Sequence, residues 1–234
     1  MREITAIIPV RAGSRRLKNK NVAPFAGTNL LVHKIEQLKK VKEIVRIVVS
    51  SDSDMMLQMA AEAGALTHKI APEYCDEKTK TFGEVVRHVA ESVEGDDILW
   101  ATCTSPLVTP KLYTKAIKEY YPALENGFDS LVSFEVIKRY LWDDNGPVNY
   151  ELGLKHVPSQ QLPNLYIVTD GILLAPRDKM IEWSYFHGRN PYRFIVDKRS
   201  GCDIDDGLDL ATARAWLDMD ESVSHIEPLQ IDHL

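Results

Sequence analysis

The chain has 234 residues, of which 44% are hydrophobic and 26% charged, so it can bury a sizeable core and is predicted to fold. Its 28 lysine and arginine residues against 34 aspartate and glutamate residues give a formal charge of -6. This balance argues against bulk binding to nucleic acid or to an anionic membrane, and no apolar run reaches the ~18 residues of a membrane span. The three cysteines have neither zinc-binding nor disulfide-framework spacing, which predicts a reducing, cytoplasmic location.

Predicted strands and helices alternate along the first part of the chain. β-Branched runs predict strands at 4–10, 44–50, 65–70, 98–101 and 129–135. Helical spacing of apolar residues predicts helices at 29–41, 54–63, 82–93 and 111–121. Two further strands at 171–176 and 193–197 and a helix at 208–217 complete the pattern. The alternation predicts a single Rossmann-like α/β domain over 1–234, with a mostly parallel sheet covered on both faces.

The alternation stops between residues 138 and 165. This segment contains Asn145-Gly146-Pro147 together with Pro158 and Pro163, which are turn and strand-breaking signals. We predict a hairpin or arm inserted into the domain rather than a linker.

The loop after the first strand, residues 11–21, is the first candidate for ligand binding, because open α/β sheets bind ligands at the carboxyl ends of their strands. It is rich in basic residues within an acidic protein, and the small residues beside them let the backbone approach a phosphate. Asn21 offers a donor and an acceptor suited to a base edge. The alternative is a solvated basic surface loop. The loop matches neither the P-loop of kinases nor the GxGxxG loop of dehydrogenases.

Polar residues follow three other predicted strands. Ser51 and Asp52 follow the second strand, where they can line a pocket, cap the next helix, or do both. Hydroxyl groups follow the strand at 98–101, and ordinary strand termination is the alternative to acceptor binding there. Asp203 and Asp205 alternate about Ile204, so both side chains face one way in an extended segment and can hold Mg²⁺. The alternative is that Asp205 or Asp206 only caps the final helix.

The stretch IIPVRAGSRRLKNKNVAPFAGTNLL resembles the opening of the CMP-sialic acid synthetase (acylneuraminate cytidylyltransferase) family. Later segments are similar to that family's other motifs, from Thr104-Ser105-Pro106-Leu107 to the Asp203-Ile204-Asp205 run. Between them, Gln160, Leu162, Pro163 and Tyr166 agree with a further family segment. The resemblance extends from residue 4 to about residue 217.

The resemblance implies a nucleotidyltransferase fold similar to that of GT-A enzymes and the transfer of CMP from CTP to an acidic sugar, a nonulosonic acid, with release of pyrophosphate. It also implies Mg²⁺ held by Asp203 and Asp205 and a homodimer contacted through the arm at 138–165. The implied nucleotide-binding residues are Arg11, Ala12, Gly13, Ser14, Arg15, Lys20, Asn21, Ser51 and Asp52. The implied acceptor-binding residues are Thr102, Thr104, Ser105, Gln160 and Tyr166. The implied catalytic residues are Arg11, Lys20, Asp203 and Asp205.

Three family residues are replaced. No arginine precedes Pro72, where Lys69 is the nearest cation, and Thr102 stands in place of a glutamine. Pro158-Ser159 stands where sialate enzymes often have an arginine. Two of these changes concern the acceptor, so a Kdo-like acid or a phosphonate stays an alternative. A glycosyltransferase using a nucleotide sugar, and a non-catalytic nucleotide-binding relative, are the other hypotheses. No residue pattern by itself separates CTP from UTP.

Overall fold

The computed structural model describes residues 2–13, 16–75 and 78–219. Seven strands form the central sheet, in the spatial order β5-β4-β1-β6-β10-β7-β11. Their bounds are β1 Ile4–Pro9, β4 Ile44–Ser51, β5 Leu66–Lys69, β6 Asp97–Trp100, β7 Ser130–Ile137, β10 Leu165–Pro176 and β11 Pro191–Ile195. Two short pairs lie outside the sheet, formed by β2 Pro24–Phe25 with β3 Thr28–Asn29 and by β8 Trp142–Asp143 with β9 Gly146–Pro147.

The chain builds the sheet outward from β1 in both directions. After β1 it adds β4 and then β5 on one side, and it returns to place β6 on the other side, all parallel. In open α/β sheets, a ligand-binding crevice lies at the carboxyl ends of the strands where the strand order reverses, which here is between β1 and β6. β10 is the exception, since it is antiparallel to both β6 and β7. The mostly parallel α/β sheet predicted from the sequence is confirmed.

Helices cover both faces of the sheet. The helices are α1 Leu30–Leu38, α2 Asp54–Glu62, α3 Phe82–Glu91, α4 Pro110–Glu125, α5 Arg177–Trp183 and α6 Gly207–Leu217. Helices α1, α2, α4 and α6 contribute to one apolar core, and α3 and α5 contribute to the second core on the opposite face. Fully buried β1 residues alternate between the two cores, with Ile8 in the first and Ile7 in the second.

β10 is interrupted by a bulge between Val168 and Leu173, where its register with β7 shifts. The buried Ser133 hydroxyl of β7 satisfies the distorted backbone: its Oγ lies 3.0 Å from Thr169 O and 3.1 Å from Ile172 O, either of which can take its single proton, and it accepts from Ile172 N. The Thr169 hydroxyl donates to the same Oγ over 2.7 Å. Bulges of this kind turn a strand and re-aim a side chain, often beside a functional site.

The segment 138–164 contains the β8–β9 hairpin and two short 3-10 helices, Gly153–Lys155 and Ser159–Gln161, and is otherwise irregular. Tyr140, Tyr150 and His156 pack their rings together, with centroids 4.8–5.6 Å apart. Apolar side chains nearby face outward, and Leu154 is fully exposed. That residues 138–165 form an inserted arm and a dimer contact stays a prediction.

Most predicted elements differ from the observed ones by only a few residues at their ends. Two differences are larger. Helix α5 was not predicted, because RDKMIEW has too few apolar residues to reveal a period. β10 begins at Leu165, six residues before its predicted start, because the bulge breaks the alternation that would have revealed it. Among the described residues, no helix has both the length and the apolar character needed to cross a bilayer.

Candidate active site

A cleft of about 920 Å³ opens where the carboxyl ends of β1 and β6 meet. Its floor and walls include Val10 and Arg11 from the end of β1, Thr102 and Thr104 after β6, and Asp170 from the β10 bulge. Lys20 and Asp205 face the same space. The structure therefore brings together the basic loop, the strand-end hydroxyls and one of the two predicted metal ligands.

The loop after β1 is fastened by its own polar side chains. Asn21 is buried, donating from Nδ2 to Arg11 O over 3.1 Å and accepting at Oδ1 from Cys103 Sγ over 3.4 Å. Arg11 donates to Cys75 O over 3.2 Å. Asn21 thus holds the loop in shape, and its predicted contact with a base edge stays a prediction. Gly13 has a φ of 78°, which glycine adopts without strain. Ser14 and Arg15 lie outside the described residues.

The second predicted nucleotide contact, Ser51-Asp52, braces the same loop from β4. Asp52 Oδ1 accepts from Ala12 N over 2.8 Å, and Lys69 Nζ donates to Asp52 O over 2.7 Å. Ser51 is buried and accepts from Ser53 N. The neighbouring Ser50, rather than Ser51 or Asp52, is among the residues that line the cleft.

Opposite charges meet across the cleft at Asp205. Lys20 Nζ lies 3.1 Å from Asp205 Oδ1, and Arg16 Nη1 lies 2.7 Å from Asp205 Oδ2. Lys20 is the more buried of the two cations, with 17% of its side chain exposed against 70% for Arg16. Two predicted catalytic residues far apart in sequence, Lys20 and Asp205, are therefore in direct contact.

The acidic run after β11 contributes side chains both to the cleft and to the N-terminal cap of helix α6. Asp206 is the helix N-cap, accepting from Leu208 N and Asp209 N, and Asp209 accepts in return from Asp206 N and Asp205 N. This capping box satisfies backbone donors that the first turn leaves unpaired. Asp203 and Asp205 take no part in it through their side chains. The capping alternative therefore applies to Asp206, and not to Asp205.

The Asp203 carboxylate accepts a hydrogen bond from the Thr104 hydroxyl and lies near the charges of Lys20, Asp205 and Asp209. Burial raises its pKa, and the charges of Asp205 and Asp209 add to the rise, while Thr104 and Lys20 oppose it. Its Oδ1 atom is buried and has no hydrogen-bond partner among the described residues. Such an oxygen costs free energy unless another group satisfies it.

These donors fit Mg²⁺. Carboxylate oxygens are its preferred protein ligands, and it takes one or two of them while waters and substrate phosphates complete its shell. Within 2–13, 16–75 and 78–219, no three His, Cys, Asp or Glu side chains converge closely enough to hold a metal alone. That donor set suits a cation shared with a polyphosphate better than a metal enclosed by protein.

The turn after β6 carries the three predicted acceptor hydroxyls. Thr102 Oγ1 donates to Asp170 O over 2.9 Å and lies 3.1 Å from Ser105 Oγ. Thr102 and Thr104 line the cleft, whereas Ser105 is buried beneath them. The turn is thereby tied to the β10 bulge.

A buried lysine fixes this turn from below. Lys34 Nζ donates to Ser105 O and to Tyr113 Oη, each over 2.8 Å, and Tyr113 Oη donates to Gly171 O over 3.1 Å. Lys34 is completely buried, and desolvation lowers its pKa to about 7. Two buried side chains thus link the β6 turn to the β10 bulge.

Asp170 projects into the cleft from the bulge. Desolvation in the cleft raises its pKa, and the charges of Asp203 and Asp205 raise it further, while Lys20 acts in the opposite direction. The side chain nevertheless stays accessible to solvent. The sequence prediction missed it. The signal was a charged residue before glycine inside an apolar strand, which is typical of a bulge.

The two predicted acceptor residues of the later segment are not among the residues that line this cleft. Gln160 is exposed in the irregular segment, and Tyr166 stacks beneath Arg193, whose guanidinium carbon lies 5.2 Å from its ring centre. Sequence reasoning also missed an aromatic wall, in which Phe82 packs edge-on against Tyr185 and Phe186. All three aromatic residues line the cleft.

Comparisons with known proteins agree with this architecture. The family model described as "Cytidylyltransferase" matches residues 5–142. The N-acylneuraminate cytidylyltransferase of Escherichia coli is 28% identical over 219 residues, which cover 90% of this chain but only 51% of that protein. The pseudaminic acid cytidylyltransferase of Campylobacter jejuni is 23% identical over 217 residues, covering 89% of this chain and 93% of that protein.

Solved structures extend the likeness to the fold. The CMP:2-keto-3-deoxy-manno-octonic acid synthetase complexed with CTP superposes with a TM-score of 0.67 at 14% identity, covering 92% of this chain and 98% of that one. The 4-diphosphocytidyl-2C-methyl-D-erythritol synthase of Anaerococcus prevotii gives a TM-score of 0.65 at 15% identity, covering 93% and 96%. Both confirm the nucleotidyltransferase fold.

Proposed function

Because the chain belongs to the cytidylyltransferase family, a family of nucleotidyltransferase enzymes, we propose that it transfers CMP from CTP to a nonulosonic acid and releases pyrophosphate. The observation that carries the proposal is the meeting of Lys20, Arg16 and Asp205 in one cleft at the end of β1. A nucleoside triphosphate bound to a divalent cation carries both negative and positive charge. Its phosphates can pair with Lys20 and Arg16, and its cation with Asp205, so no charge is left unpaired when the ion pairs within the protein break.

The residues have separate tasks in this proposal. Lys20, Arg11 and Arg16 bind the triphosphate and neutralise the charge that develops on the leaving pyrophosphate. Asp203 and Asp205 would hold Mg²⁺, which neutralises phosphate charge when bound. Thr102 and Thr104 present hydroxyls to the acceptor at the end of β6. No covalent nucleophile is needed, because positioning and charge stabilisation suffice for an in-line displacement.

The class of acceptor follows from the relatives whose names state it. One is named for N-acylneuraminate and another for pseudaminic acid, and both compounds are nonulosonic acids. The cleft's aromatic wall of Phe82, Tyr185 and Phe186 can bind the apolar substituents of such a sugar. A Kdo-like acid is the second candidate, supported by the fold likeness to the CMP:2-keto-3-deoxy-manno-octonic acid synthetase.

Two further parts of the proposal concern the assembly and its location. The exposed Leu152, Leu154 and Trp142 of the 138–164 arm are apolar groups that a second copy of the chain can cover in a homodimer. Gln160 and Tyr166, which lie outside their own chain's cleft lining, can then contribute to the partner's acceptor site. The reducing cytoplasm stays the predicted location.

The test is pyrophosphate release with Mg²⁺, each of the four ribonucleoside triphosphates and a panel of nonulosonic acids, Kdo and phosphonates. We expect release with CTP and with nonulosonic acids, and none without an acceptor. Release only with another nucleotide or only with Kdo would contradict the proposed substrates. CTP binding without any turnover would support a non-catalytic relative instead.

A further inference from the structure

Hydrogen bonds from three neighbouring elements fix the β10 bulge, and the bulge sets the position of the Asp170 side chain. Ser133 fixes its backbone from β7, and the Thr102 hydroxyl holds Asp170 O from the β6 turn. Tyr113 holds the next carbonyl, Gly171 O, from α4. A Cβ atom on Gly171 would lie 2.7 Å from Val108 Cγ2, so the bulge packs as closely against the 105–108 turn as a glycine permits.

The Asp170 carboxylate that results is solvent-accessible inside the cleft, within the electrostatic reach of Lys20, Asp203 and Asp205. Thr102 and Thr104, the hydroxyls predicted to meet the acceptor, share the same wall. Asp170 therefore lies beside the proposed acceptor hydroxyls, within the influence of the charges proposed to bind phosphate and metal.

We propose that Asp170 is a catalytic residue that accepts the proton of the attacking acceptor hydroxyl. This inference rests on the proposed cytidylyl transfer and deepens it, by assigning a proton acceptor that the two predicted metal ligands do not supply. In the step, the acceptor oxygen bonds to the α-phosphorus of CTP while its proton passes to a carboxylate oxygen of Asp170. The bond from that phosphorus to the bridging oxygen breaks, and pyrophosphate leaves with the electron pair.

The geometry favours proton acceptance over a third metal ligand. Asp170 does not converge with Asp203 and Asp205 into a three-carboxylate group that could hold a metal, within the part of the chain that the structure describes. Its partial desolvation raises its pKa, which makes the carboxylate a stronger base than one in water. Its hydrogen-bonded backbone keeps it at a fixed place on the acceptor wall.

The experiment compares D170N and D170A with the wild type in the acceptor-dependent release of pyrophosphate from CTP. We expect D170N to lower kcat by about 100-fold or more, while its KM for CTP and its binding of Mn²⁺ with CTP stay near those of the wild type. Sodium formate should restore part of the activity of D170A, because a small carboxylate can enter the space and take the proton. E125Q, which removes a single exposed carboxylate at the end of α4, is the control and should keep wild-type activity.

Three results would overturn the assignment. One is a kcat for D170N within about threefold of the wild type, since a general base contributes far more. Another is weakened Mn²⁺ binding by D170N, which would make Asp170 a metal ligand. A third is an equal rescue of D170A and D205A by formate, which would not be specific to a proton acceptor. Turnover of the wild type on the same acceptor separates the two proposals. If the wild type is active and D170N is equally active, only the role of Asp170 is contradicted. If the wild type itself is inactive, the proposed cytidylyl transfer is contradicted as well.

Discussion

The two walls of the cleft are held together by different interactions. In the first wall, the β1 loop meets the 203–206 segment through ion pairs between partly exposed groups, such as Arg16 with Asp205. The wall formed by the β6 turn and the β10 bulge depends on buried hydrogen bonds to backbone carbonyls, such as Lys34 to Ser105 O. Exposed ion pairs contribute little to stability and exchange readily with charged ligands, whereas buried hydrogen bonds fix geometry. The charged wall is therefore suited to binding a polyphosphate, and the buried wall to positioning an acceptor.

The largest expected effect comes from removing the charge at the centre of the first wall. D205N should lower kcat by about 100-fold or more, because the carboxylate proposed to hold the cation loses its charge. D206S is the matched control, since serine caps a helix as well as aspartate and the neighbouring carboxylate alone is lost. Steady-state pyrophosphate release distinguishes them. Equal activity of D205N and wild type would contradict the metal assignment.

The second wall should respond in stability as well as in activity. G171A adds a methyl group 2.7 Å from Val108 Cγ2, and the overpacking should cost about 1–3 kcal/mol of unfolding free energy. Chemical denaturation measures this cost. Because the bulge would shift, the KM for the acceptor should rise more than the KM for CTP. A larger rise in the KM for CTP would mean that the two walls are not separable.

The buried Lys34 should make the folding stability of the protein depend on pH. Its pKa is lowered to about 7 in the folded protein, so above that pH the unfolded chain binds more protons at this lysine than the folded chain does. The contribution of Lys34 to the free energy of unfolding therefore rises as the pH increases from about 7 toward the ordinary lysine pKa, by roughly 1 kcal/mol per pH unit. The buried Cys103 thiol, whose pKa is raised to about 12, opposes the rise only above its ordinary pKa.

The difference in unfolding free energy between wild type and K34M, measured from pH 7 to 8.5, isolates this contribution. We expect the difference to grow in favour of the wild type as the pH rises. A difference that stays constant over this range would mean that Lys34 titrates normally in the folded state.

The smallest effect on folding is expected in the arm. Leu154 is fully exposed, so L154E should change the free energy of unfolding by less than about 0.5 kcal/mol. If a second copy covers the arm, the same variant should shift a dimer toward the monomer in light scattering at micromolar concentration. A monomeric wild type would contradict the homodimer, and a dimeric L154E would place its interface elsewhere.

The sequence predicted the charged wall better than the buried one, for a physical reason. The basic loop and the Asp203-Ile204-Asp205 alternation are local patterns, and a parallel sheet brings the ends of its strands to one edge. Lys34 is spaced four residues from both Leu30 and Leu38, but the sequence gives no sign of its partners in the β6 turn and in α4. The Asp170-Gly171 pair is a local signal of a bulge, but the place of Asp170 in the cleft also depends on which strand pairs with β7 and where the register shifts. The same limit applies to Asn21, whose side chain turned inward to its own loop.

The β10 bulge also has an evolutionary consequence. The hydrogen bonds from Thr102 and Tyr113 that fix residues 170 and 171 reach backbone carbonyls, and no side chain at position 170 is needed to make them. A single substitution there can change the charge or hydrogen bonding offered to the acceptor while the surrounding backbone keeps its place. Position 170 is thus a point at which a lineage of such proteins can lose or regain the proposed proton acceptor by one substitution, without rebuilding the rest of the cleft.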